Sequence, residues 1–214
     1  TTVKKLIIVG AGGHGKVVAD AAEQMGCWDL IEFVDIKFPD LSNCGYWTVV
    51  AKDLGQLADN YLGADFIVAI GDNAVRMNVF SECFALGFKP INLIHPTAYV
   101  SKHAEIGIGS VIFANSVINV DAKVGRCSII NTGATVDHDC YLGDAVHVSP
   151  GANLAGEVSI GKESWIGIGA CVKQQIIIGD NVVVGAGAAV VKNIPSYQKV
   201  VGIPAKLLNK YLSI

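Results

Sequence analysis

Residues 130–160 read INTGATVDHDCYLGDAVHVSPGANLAGEVSI, and an aliphatic residue opens every group of six. The same spacing continues in both directions, so that Val, Ile or Leu occupies seventeen consecutive positions six apart: Ile94, Val100, Ile106, Ile112, Ile118, Val124, Ile130, Val136, Leu142, Val148, Leu154, Ile160, Ile166, Val172, Ile178, Val184 and Val190. A period of six does not match the α-helical turn, whereas three short strands with tight corners, one strand to each hexad, close a coil. The pattern therefore predicts a parallel β-helix whose periodic aliphatic side chains point inward.

Glycines add a second, longer period of three hexads to this stretch. They stand at Gly107, Gly125, Gly143, Gly161 and Gly179. We expect them at corners of the coil, where the backbone requires unusual torsion angles. A coil of three hexads also makes residues that are three hexads apart in sequence neighbours on adjacent coils.

Residues 1–90 lack the period of six and alternate predicted strands with predicted helices. The predicted strands are 4–9, 31–34 and 66–70, and the predicted helices are 16–25 and 73–86. This alternation is typical of a small parallel α/β domain. We expect that domain over residues 1–90, the β-helix over 91–191 and a C-terminal tail over 192–214, where a turn at 201–206 precedes a short helix.

Composition excludes several classes of function. The 214 residues include 16 Lys and Arg against 19 Asp and Glu, a net charge of −3, which provides no basic surface for nucleic acid. No run of 18 apolar residues is present, so we expect no membrane span. The six cysteines are scattered without a CxxC pair, which indicates reduced thiols in a cytoplasmic protein rather than disulfides or a zinc site.

A glycine-rich turn follows the first predicted strand. Gly10, Gly12 and Gly15 satisfy the G-x-G-x-x-G pattern before a helix, and Asp35 ends the next strand. Such glycines let a ligand approach the backbone, the helix N-terminus favours a phosphate, and a carboxylate at a strand end can bind a ribose hydroxyl. A nucleotide or nucleotide sugar is favoured over NAD, because a dinucleotide site normally needs two such halves. A turn that serves only packing is the alternative.

The β-helix carries one concentration of charge, at Asp137, His138 and Asp139. A carboxylate beside an imidazole favours its charged form and fixes its tautomer, as a general base requires. Either aspartate could orient the ring. Gly156, one coil after His138, should leave room beside the ring and an accessible backbone N–H. A solvated polar corner is the alternative interpretation.

His147 lies half a coil from His138, so the two histidines could meet only across an interface between copies of the chain. Trp165 lies one coil beyond His147, and the pair suits either a binding wall or an ordinary subunit contact. Cys140 is close to His138, but it occupies the small-residue position of its hexad, which favours a structural role.

These residues together resemble the bacterial sugar O- and N-acetyltransferases among the hexapeptide-repeat acyltransferases. The resemblance rests on GAGGHGKVVAD at 10–20, NTGATVDHDCYLGDAVHVSPGANLAG at 131–156 and VGIPAK at 201–206. It implies a left-handed β-helix, a homotrimer with its active sites between adjacent prisms, acetyl-CoA as co-substrate and no metal.

The resemblance also implies roles for individual residues. His138 matches the general base and Asp139 the acid that orients it. A glutamate often follows the histidine in this family, so the shorter Asp139 leaves the choice between Asp139 and Asp137 open. The positions that match acetyl-CoA contacts are His147, Gly156, Ile168 and Ala186. The positions that match nucleotide-sugar contacts are Gly13, His14, Gly15, Asp35, Ile36 and Gly71.

The predicted function is N-acetylation of the 4-amino group of a nucleotide-linked 4-amino-4,6-dideoxy sugar, a step in polysaccharide biosynthesis. One alternative is O-acetylation of sialic acid or a related sugar, and another is a nucleotide-sugar-binding scaffold without catalysis. A zinc lyase of the γ-carbonic anhydrase type needs three histidines, and only His138 and His147 lie between residues 106 and 190. The carrier could be UDP, dTDP or GDP, and the loop at 37–47 is a candidate for base recognition.

Overall fold

A computed structural model describes residues 3–57 and 61–208, and its first part alternates strands with helices as predicted. The elements of this α/β unit are β1 (Lys5–Val9), α1 (Gly13–Met25), β2 (Leu30–Val34), β3 (Asn43–Cys44), β4 (Trp47–Ala51), a 3-10 turn (Leu54–Gln56), β5 (Asp65–Val68), α2 (Asn73–Ala85) and β6 (Lys89–Pro90). Strands β3, β4 and β6 were not expected. Two of them are very short, and β4 joins β2 through a register shift. Neither a long apolar run nor a regular alternation of apolar and polar residues therefore predicts them.

The sheet of the α/β unit has the order β3-β4-β2-β1-β5-β6. Strand β1 pairs in parallel with β2 on one side and with β5 on the other. Because the chain leaves β1 toward β2 and later returns to its opposite side, a crevice opens beyond the carboxyl ends of β1 and β5. The glycine-rich turn and Gly71 follow these two strands directly.

The second part of the chain is the predicted parallel β-helix. Its strands are Leu93–Ile94, Tyr99–Val100, Glu105–Ile106, Val111–Ile112, Val117–Ile118, Lys123–Val124, Ile129–Ile130, Thr135–Val136, Tyr141–Leu142, His147–Val148, Asn153–Leu154, Ser159–Ile160, Trp165–Ile166, Cys171–Val172, Ile177–Ile178, Val183–Val184, Ala189–Val190, Lys199–Val201 and Lys206–Leu207. They form three sheets in which paired strands lie one coil apart, as in the column Ile112, Ile130 and Val148. The periodic aliphatic residues from Ile112 to Val190 are buried in one continuous core, as predicted.

The five glycines from Gly107 to Gly179 lie at corners, but the prediction that they adopt unusual torsion angles is wrong. None has a positive φ. Each packs on the backbone of the next coil, and a Cβ on Gly143 would lie 2.7 Å from the backbone nitrogen of Lys162. Close stacking of coils therefore excludes a side chain there. The left-handed torsion angles fall just after these glycines, at Gly109, Cys127, Ala145, Glu163 and Asn181.

The α/β unit and the β-helix share a hydrophobic core. On α1, Val18 and Ala22 belong to the same buried cluster as Val111, Phe113 and Ile129 of the β-helix. The two parts are therefore packed against each other rather than joined only by the connection at 91–92.

The C-terminal tail continues the β-helix further than the aliphatic period does. Strand Lys199–Val201 pairs in parallel with Val183–Val184, and Lys206–Leu207 turns back to pair with it in the antiparallel direction. The turn at 201–206 thus closes the end of one sheet. The short helix expected after it falls mainly on residues 209–214, outside the described residues.

Candidate active site

The glycine-rich turn combines ligand access with close packing. A Cβ on Gly12 or Gly13 would meet no atom within 4 Å, whereas a Cβ on Gly15 would lie 2.9 Å from the Phe33 ring. Helix α1 begins without a side-chain cap and without an acidic residue in its first turn. Its unpaired N–H groups and the positive end of its dipole therefore suit a phosphate. Gly15 is buried, and its own contact with a substrate remains a prediction.

Asp35 holds the backbone around this turn. Its Oδ2 accepts a hydrogen bond from the Ala11 N–H at 2.8 Å, and its Oδ1 accepts one from the Lys37 N–H at 2.9 Å. The carboxylate therefore fixes the glycine turn against the loop that follows β2. Ile36 beside it is 83% exposed, and Gly71 opens to free space after β5. These predicted nucleotide-sugar contacts thus share the edge of the sheet where the crevice lies.

His14 is carried by the first turn of α1 into the contact with the β-helix. Its ring meets the edge of Phe113 with the centroids 5.6 Å apart. Burial, with a smaller contribution from the Arg76 cation, lowers the pKa of His14 to about 4. Its Nε2 is buried and has no hydrogen-bond partner in the described part of the chain. The ring is therefore a neutral group with one buried polar atom that has no partner in the described residues.

His147 and Trp165 form a parallel stack on the outer face of one β-helix sheet. Their centroids are 5.6 Å apart, the planes differ by 4°, and the indole N–H donates to the Ser149 hydroxyl at 2.6 Å. A cavity of about 500 Å³ separates this stack from the first turn of α2 and includes Gly71 and Asn73 in its lining. The stack, for which the sequence left a binding wall and a subunit contact open, thus faces the turn that carries Gly71 across this cavity.

The protonation state of His147 follows from its neighbours. The Asn131 side-chain oxygen accepts the Thr132 N–H at 2.8 Å, which directs the amide nitrogen to His147 Nε2 at 3.1 Å. Nε2 is therefore an acceptor, and the neutral ring carries its proton on Nδ1. Burial lowers the pKa of His147 to about 3, and the nearby Arg76 and His14 contribute to the lowering. This histidine can donate a hydrogen bond but does not act as a base at neutral pH.

His138 lies in the corner between strands Thr135–Val136 and Tyr141–Leu142. Its Nδ1 is 2.8 Å from Asp139 Oδ2, whereas Asp137 accepts the His138 backbone N–H at 2.8 Å. Asp139 therefore orients the ring and Asp137 shapes the corner, which answers the question that the sequence left open. The hydrogen bond to Asp139 raises the pKa of His138, and the surrounding carboxylates raise it further. Its Nε2 makes no hydrogen bond within the described residues and lies against Gly156.

Gly156 lies against the His138 ring, as their separation of one coil predicts. A Cβ on Gly156 would lie 2.5 Å from His138 Cε1. The space left by the absent side chain is occupied by the ring itself, and Gly156 is buried beneath it rather than beside an open gap as expected. The Cys140 thiol behind the ring donates to the Ala155 carbonyl at 3.2 Å, and burial raises its pKa to about 11. A thiolate nucleophile is therefore disfavoured.

The predicted acetyl-CoA contacts lie in two places on one chain. Ile168 and Ala186 are exposed on one corner, one coil apart, directly after the sheet that carries His147. Gly156 lies on a different corner, together with His138. The predicted contacts therefore fall into two separate groups on a single chain.

Asn73 lines the cavity and accepts a hydrogen bond from Arg76, and the sequence interpretation gave neither residue a role in the site. Arg76 is 1% exposed and lies on the buried face of α2 with Phe80 and Cys83. The sequence did contain a signal for Arg76, since Arg76, Phe80 and Cys83 have the spacing i, i+4, i+7 of one buried helix face, and a cation on such a face is unusual. Asn131, the partner of His147, is separated from it by slightly less than a full coil, so the coil spacing did not pair them.

A hexapeptide β-helix with an exposed histidine–aspartate pair, joined to a small parallel α/β unit, is the arrangement expected of a hexapeptide-repeat acyltransferase. Residues 5–83 match the family model described as the PglD N-terminal domain. The acetyltransferase domain of PglB from Neisseria gonorrhoeae FA1090 is 44% identical, with a TM-score of 0.91 over 96% of this chain and 100% of that one. It has also been solved in complex with acetyl coenzyme A. The chain therefore belongs to the family of sugar acetyltransferases in which a PglD-type domain precedes a left-handed β-helix.

Two further relatives are named as sugar N-acetyltransferases. Perosamine N-acetyltransferase from Caulobacter crescentus, solved with CoA and GDP-perosamine, is 37% identical with a TM-score of 0.89, over 96% of this chain and 97% of that one. The UDP-N-acetylbacillosamine N-acetyltransferase of Bacillus subtilis (strain 168) is 41% identical over 114 residues. That match spans about half the length of each protein, 52% in both cases.

Proposed function

We propose that this protein transfers the acetyl group of acetyl-CoA to the 4-amino group of a nucleotide-linked 4-amino-4,6-dideoxy sugar. The observation that carries the proposal is the exposed His138–Asp139 pair, in which Asp139 holds Nδ1 of the ring. N-acetyltransferases for UDP-linked and GDP-linked sugars among the relatives support an amine as the acceptor.

The chemistry requires few groups. The amine nitrogen attacks the thioester carbonyl, and His138 Nε2 accepts the amine proton while its Nδ1–H is held by Asp139. The new C–N bond forms, the C–S bond breaks, and the CoA thiolate leaves and takes up the proton from His138. Backbone N–H groups near Gly156 are our candidate donors to the tetrahedral oxyanion, and one such donor contributes about 3 kcal/mol. No acyl-enzyme is needed, since the thiolate is a good leaving group.

The two substrates bind to different parts of the chain in this proposal. Residues 1–90 hold the nucleotide sugar through Gly13, His14, Gly15, Asp35, Ile36 and Gly71. Residues 91–191 hold acetyl-CoA through His147, Gly156, Ile168 and Ala186. The open N–H groups at the start of α1 and the exposure of Ile168 and Ala186 support this division. Residues 192–214 form a C-terminal tail with no assigned contact.

We infer a homotrimer, as the resemblance to the sugar acetyltransferases implies. His138 and His147 lie on different strands and corners of the β-helix, which supports a site that a second copy completes by bringing the base of one chain to the stacked pair of another. We infer three equivalent sites at the seams between prisms. We also infer a cytoplasmic location, because all six cysteines are free thiols and acetyl-CoA is a cytoplasmic metabolite.

Two structural findings accompany this proposal. None of the helices within 3–57 and 61–208 is long and apolar enough to cross a membrane. The same residues contain no group of three or more His, Cys, Asp or Glu side chains placed to hold a metal ion. The proposed reaction requires neither a membrane-spanning helix nor a metal ion.

A thiol-release assay tests the proposal. The protein is mixed with acetyl-CoA and with UDP-, dTDP- and GDP-linked 4-amino-4,6-dideoxy sugars in turn, with sialic acid as the hydroxyl acceptor. Rapid release with one amino sugar supports N-acetylation and names the carrier. Release with sialic acid alone replaces it with O-acetylation. No release, together with no binding of acetyl-CoA, contradicts the transferase and favours a binding scaffold.

A further inference from the structure

The first turn of α2 is fastened to the β-helix by two side chains, Arg76 and Asn73. We infer that they form a clamp that sets the position of the Gly71 turn relative to the face that carries His147 and Trp165. Arg76 and Asn73 are thus positioning residues for the transfer reaction. This inference rests on the proposed function, because it concerns how the two substrates are aligned.

The Arg76 guanidinium makes five hydrogen bonds, as many as its N–H groups allow. Two reach the β-helix, from Nε to the Cys127 carbonyl at 2.7 Å and from Nη2 to the Ala145 carbonyl at 3.2 Å. The other three stay near α2, at the Ile70 carbonyl (2.9 Å), the Gly71 carbonyl (3.0 Å) and the Asn73 side-chain oxygen (2.7 Å). One rigid planar group therefore joins the turn after β5 to two coils of the β-helix.

Asn73 extends the clamp to a third coil. Its Oδ1 accepts from Arg76, and its Nδ2 donates to the Glu163 carbonyl at 3.0 Å and to the Ser164 carbonyl at 3.3 Å. Strand Trp165–Ile166 begins at the next residue. The amide therefore lies between the Gly71 turn and the stacked Trp165, at the wall of the cavity.

The backbone carbonyls that accept hydrogen bonds from Arg76 and Asn73 on the β-helix are regularly spaced. Cys127, Ala145 and Glu163 recur once per coil and occupy the same left-handed corner of successive coils, with φ values of 53°, 56° and 58°. Within the described residues no backbone N–H donates to any of these three carbonyls. They form a column of acceptors that no backbone N–H pairs with, and Arg76 and Asn73 donate hydrogen bonds to them.

The choice of arginine argues for positioning rather than for stability alone. All five acceptors of Arg76 are neutral oxygens, although the side chain is almost fully buried. Burial lowers its pKa to about 10, so the cation persists at neutral pH. A buried cation without a carboxylate partner is costly, and an apolar side chain would hold two packed elements together more cheaply. The planar fork instead fixes angles and distances between them.

Alignment matters because the two substrates bind to different bodies. In the proposed function the nucleotide sugar binds the α/β unit and acetyl-CoA binds the β-helix. A shift between those bodies displaces the amine from the thioester without removing a contact to either substrate. A misplacement of about 1 Å is expected to cost about 100-fold in rate.

The test compares Asn73→Ala and Arg76→Lys with wild type and with Met77→Ala. Met77 lies on α2 next to Arg76 and packs into the core of the α/β unit, so its truncation loosens the same helix without touching the clamp. We expect kcat to fall at least about tenfold in Asn73→Ala and in Arg76→Lys, with both KM values within about threefold of wild type. Met77→Ala should lower the melting temperature and keep kcat. Rates are measured well below every melting temperature.

Two further readouts distinguish a positioning role from direct contact with substrate. Asn73 borders the cavity and could touch substrate, but the buried Arg76 cannot, so equal losses in both variants indicate the clamp. The double variant should lose no more than the larger single loss, because the two residues act as one unit. If kcat stays at the wild-type value in Asn73→Ala, or if Met77→Ala lowers it equally, the inference is overturned.

Failure of the proposed function is recognised separately. If wild type turns over none of the amino sugars, hydrogen exchange at residues 71–74 decides about the clamp. Exchange about tenfold faster in Asn73→Ala than in Met77→Ala supports it. Equal exchange in the two variants overturns it.

Discussion

The His138 imidazole packs against Gly156, one coil further along the chain, so closely that a Cβ there would lie 2.5 Å from Cε1. Together with the hydrogen bond between Asp139 and Nδ1, this contact determines where Nε2 points. The base is thus held at one edge by a carboxylate and at one face by a bare backbone.

Gly156→Ala should remove most of the activity without unfolding the protein. The added methyl group displaces the imidazole and so moves Nε2, and we expect kcat to fall about 100-fold. Steady-state kinetics and a melting curve are the measurements. Ala155→Gly, a change of similar size at the neighbouring position, is the matched control and should retain activity. Normal turnover by Gly156→Ala would contradict the placement of the base.

The pH dependence of kcat should show His138 as a base with a raised pKa. Only the neutral ring accepts a proton, so activity rises with pH, and the midpoint should lie above the ordinary value of about 6.5. In Asp139→Asn the main cause of the raised pKa is gone, and the midpoint should move to lower pH while kcat falls. His138→Ala should lose most of kcat with the fold intact. An unchanged midpoint in Asp139→Asn would show that another group titrates.

Mild acid should destabilise the fold through His14 and His147. Their pKa values are about 4 and about 3 in the folded chain, against about 6.5 when unfolded. Below pH 6.5 the unfolded chain therefore binds protons that the folded chain does not. Stability falls as the pH drops, by about 2 kcal/mol for each ring at pH 5 relative to pH 7.

Chemical denaturation at pH 7 and pH 5 measures this loss. The double variant His14→Gln, His147→Gln is expected to lose less stability between the two pH values than wild type, whatever its stability at pH 7. An identical loss in both proteins would assign the acid sensitivity to other groups.

The five glycines from Gly107 to Gly179, which pack on the backbone of the next coil, should tolerate no side chain. The corner positions with a positive φ should tolerate one. Gly143→Ala places a Cβ 2.7 Å from the backbone nitrogen of Lys162, and we expect it to lower the free energy of unfolding by about 3 kcal/mol. Gly151 has a φ of 65° and open space around it, so Gly151→Asn should cost less than about 1 kcal/mol. Urea titration compares them. A larger loss in Gly151→Asn would reverse our interpretation of the two glycine series.

The coil architecture was predictable because one physical requirement repeats. Every sixth residue must fill the interior, so Ile112 and its counterparts repeat the same signal many times over. The glycine period was found for the same reason, but its cause was misjudged. Spacing shows that a glycine recurs, but it does not show why. The structure shows that Gly143 is needed because it packs on the neighbouring backbone, and not because its torsion angles exclude other residues.

The site was predictable only where its residues are close in sequence or one coil apart. His138, Asp139 and Gly156 meet these conditions. Sequence could not show that Asp137 turns to the backbone while Asp139 takes the ring, because that choice depends on local torsion angles. Arg76 was missed because its β-helix partners are distant in sequence, across a packing contact that no periodicity encodes.

The coil of three hexads also restricts which changes in chain length the β-helix can accept. An insertion that is not a whole coil slips the register of the β-helix strands beyond it, unless the added residues loop out at a corner. Even a whole extra coil between Cys127 and Glu163 would raise the later corners by about 4.8 Å and separate the carbonyls that one helix grips together. The number of coils between Cys127 and Glu163 is therefore fixed by the hydrogen bonds that the side chains of one helix make to both.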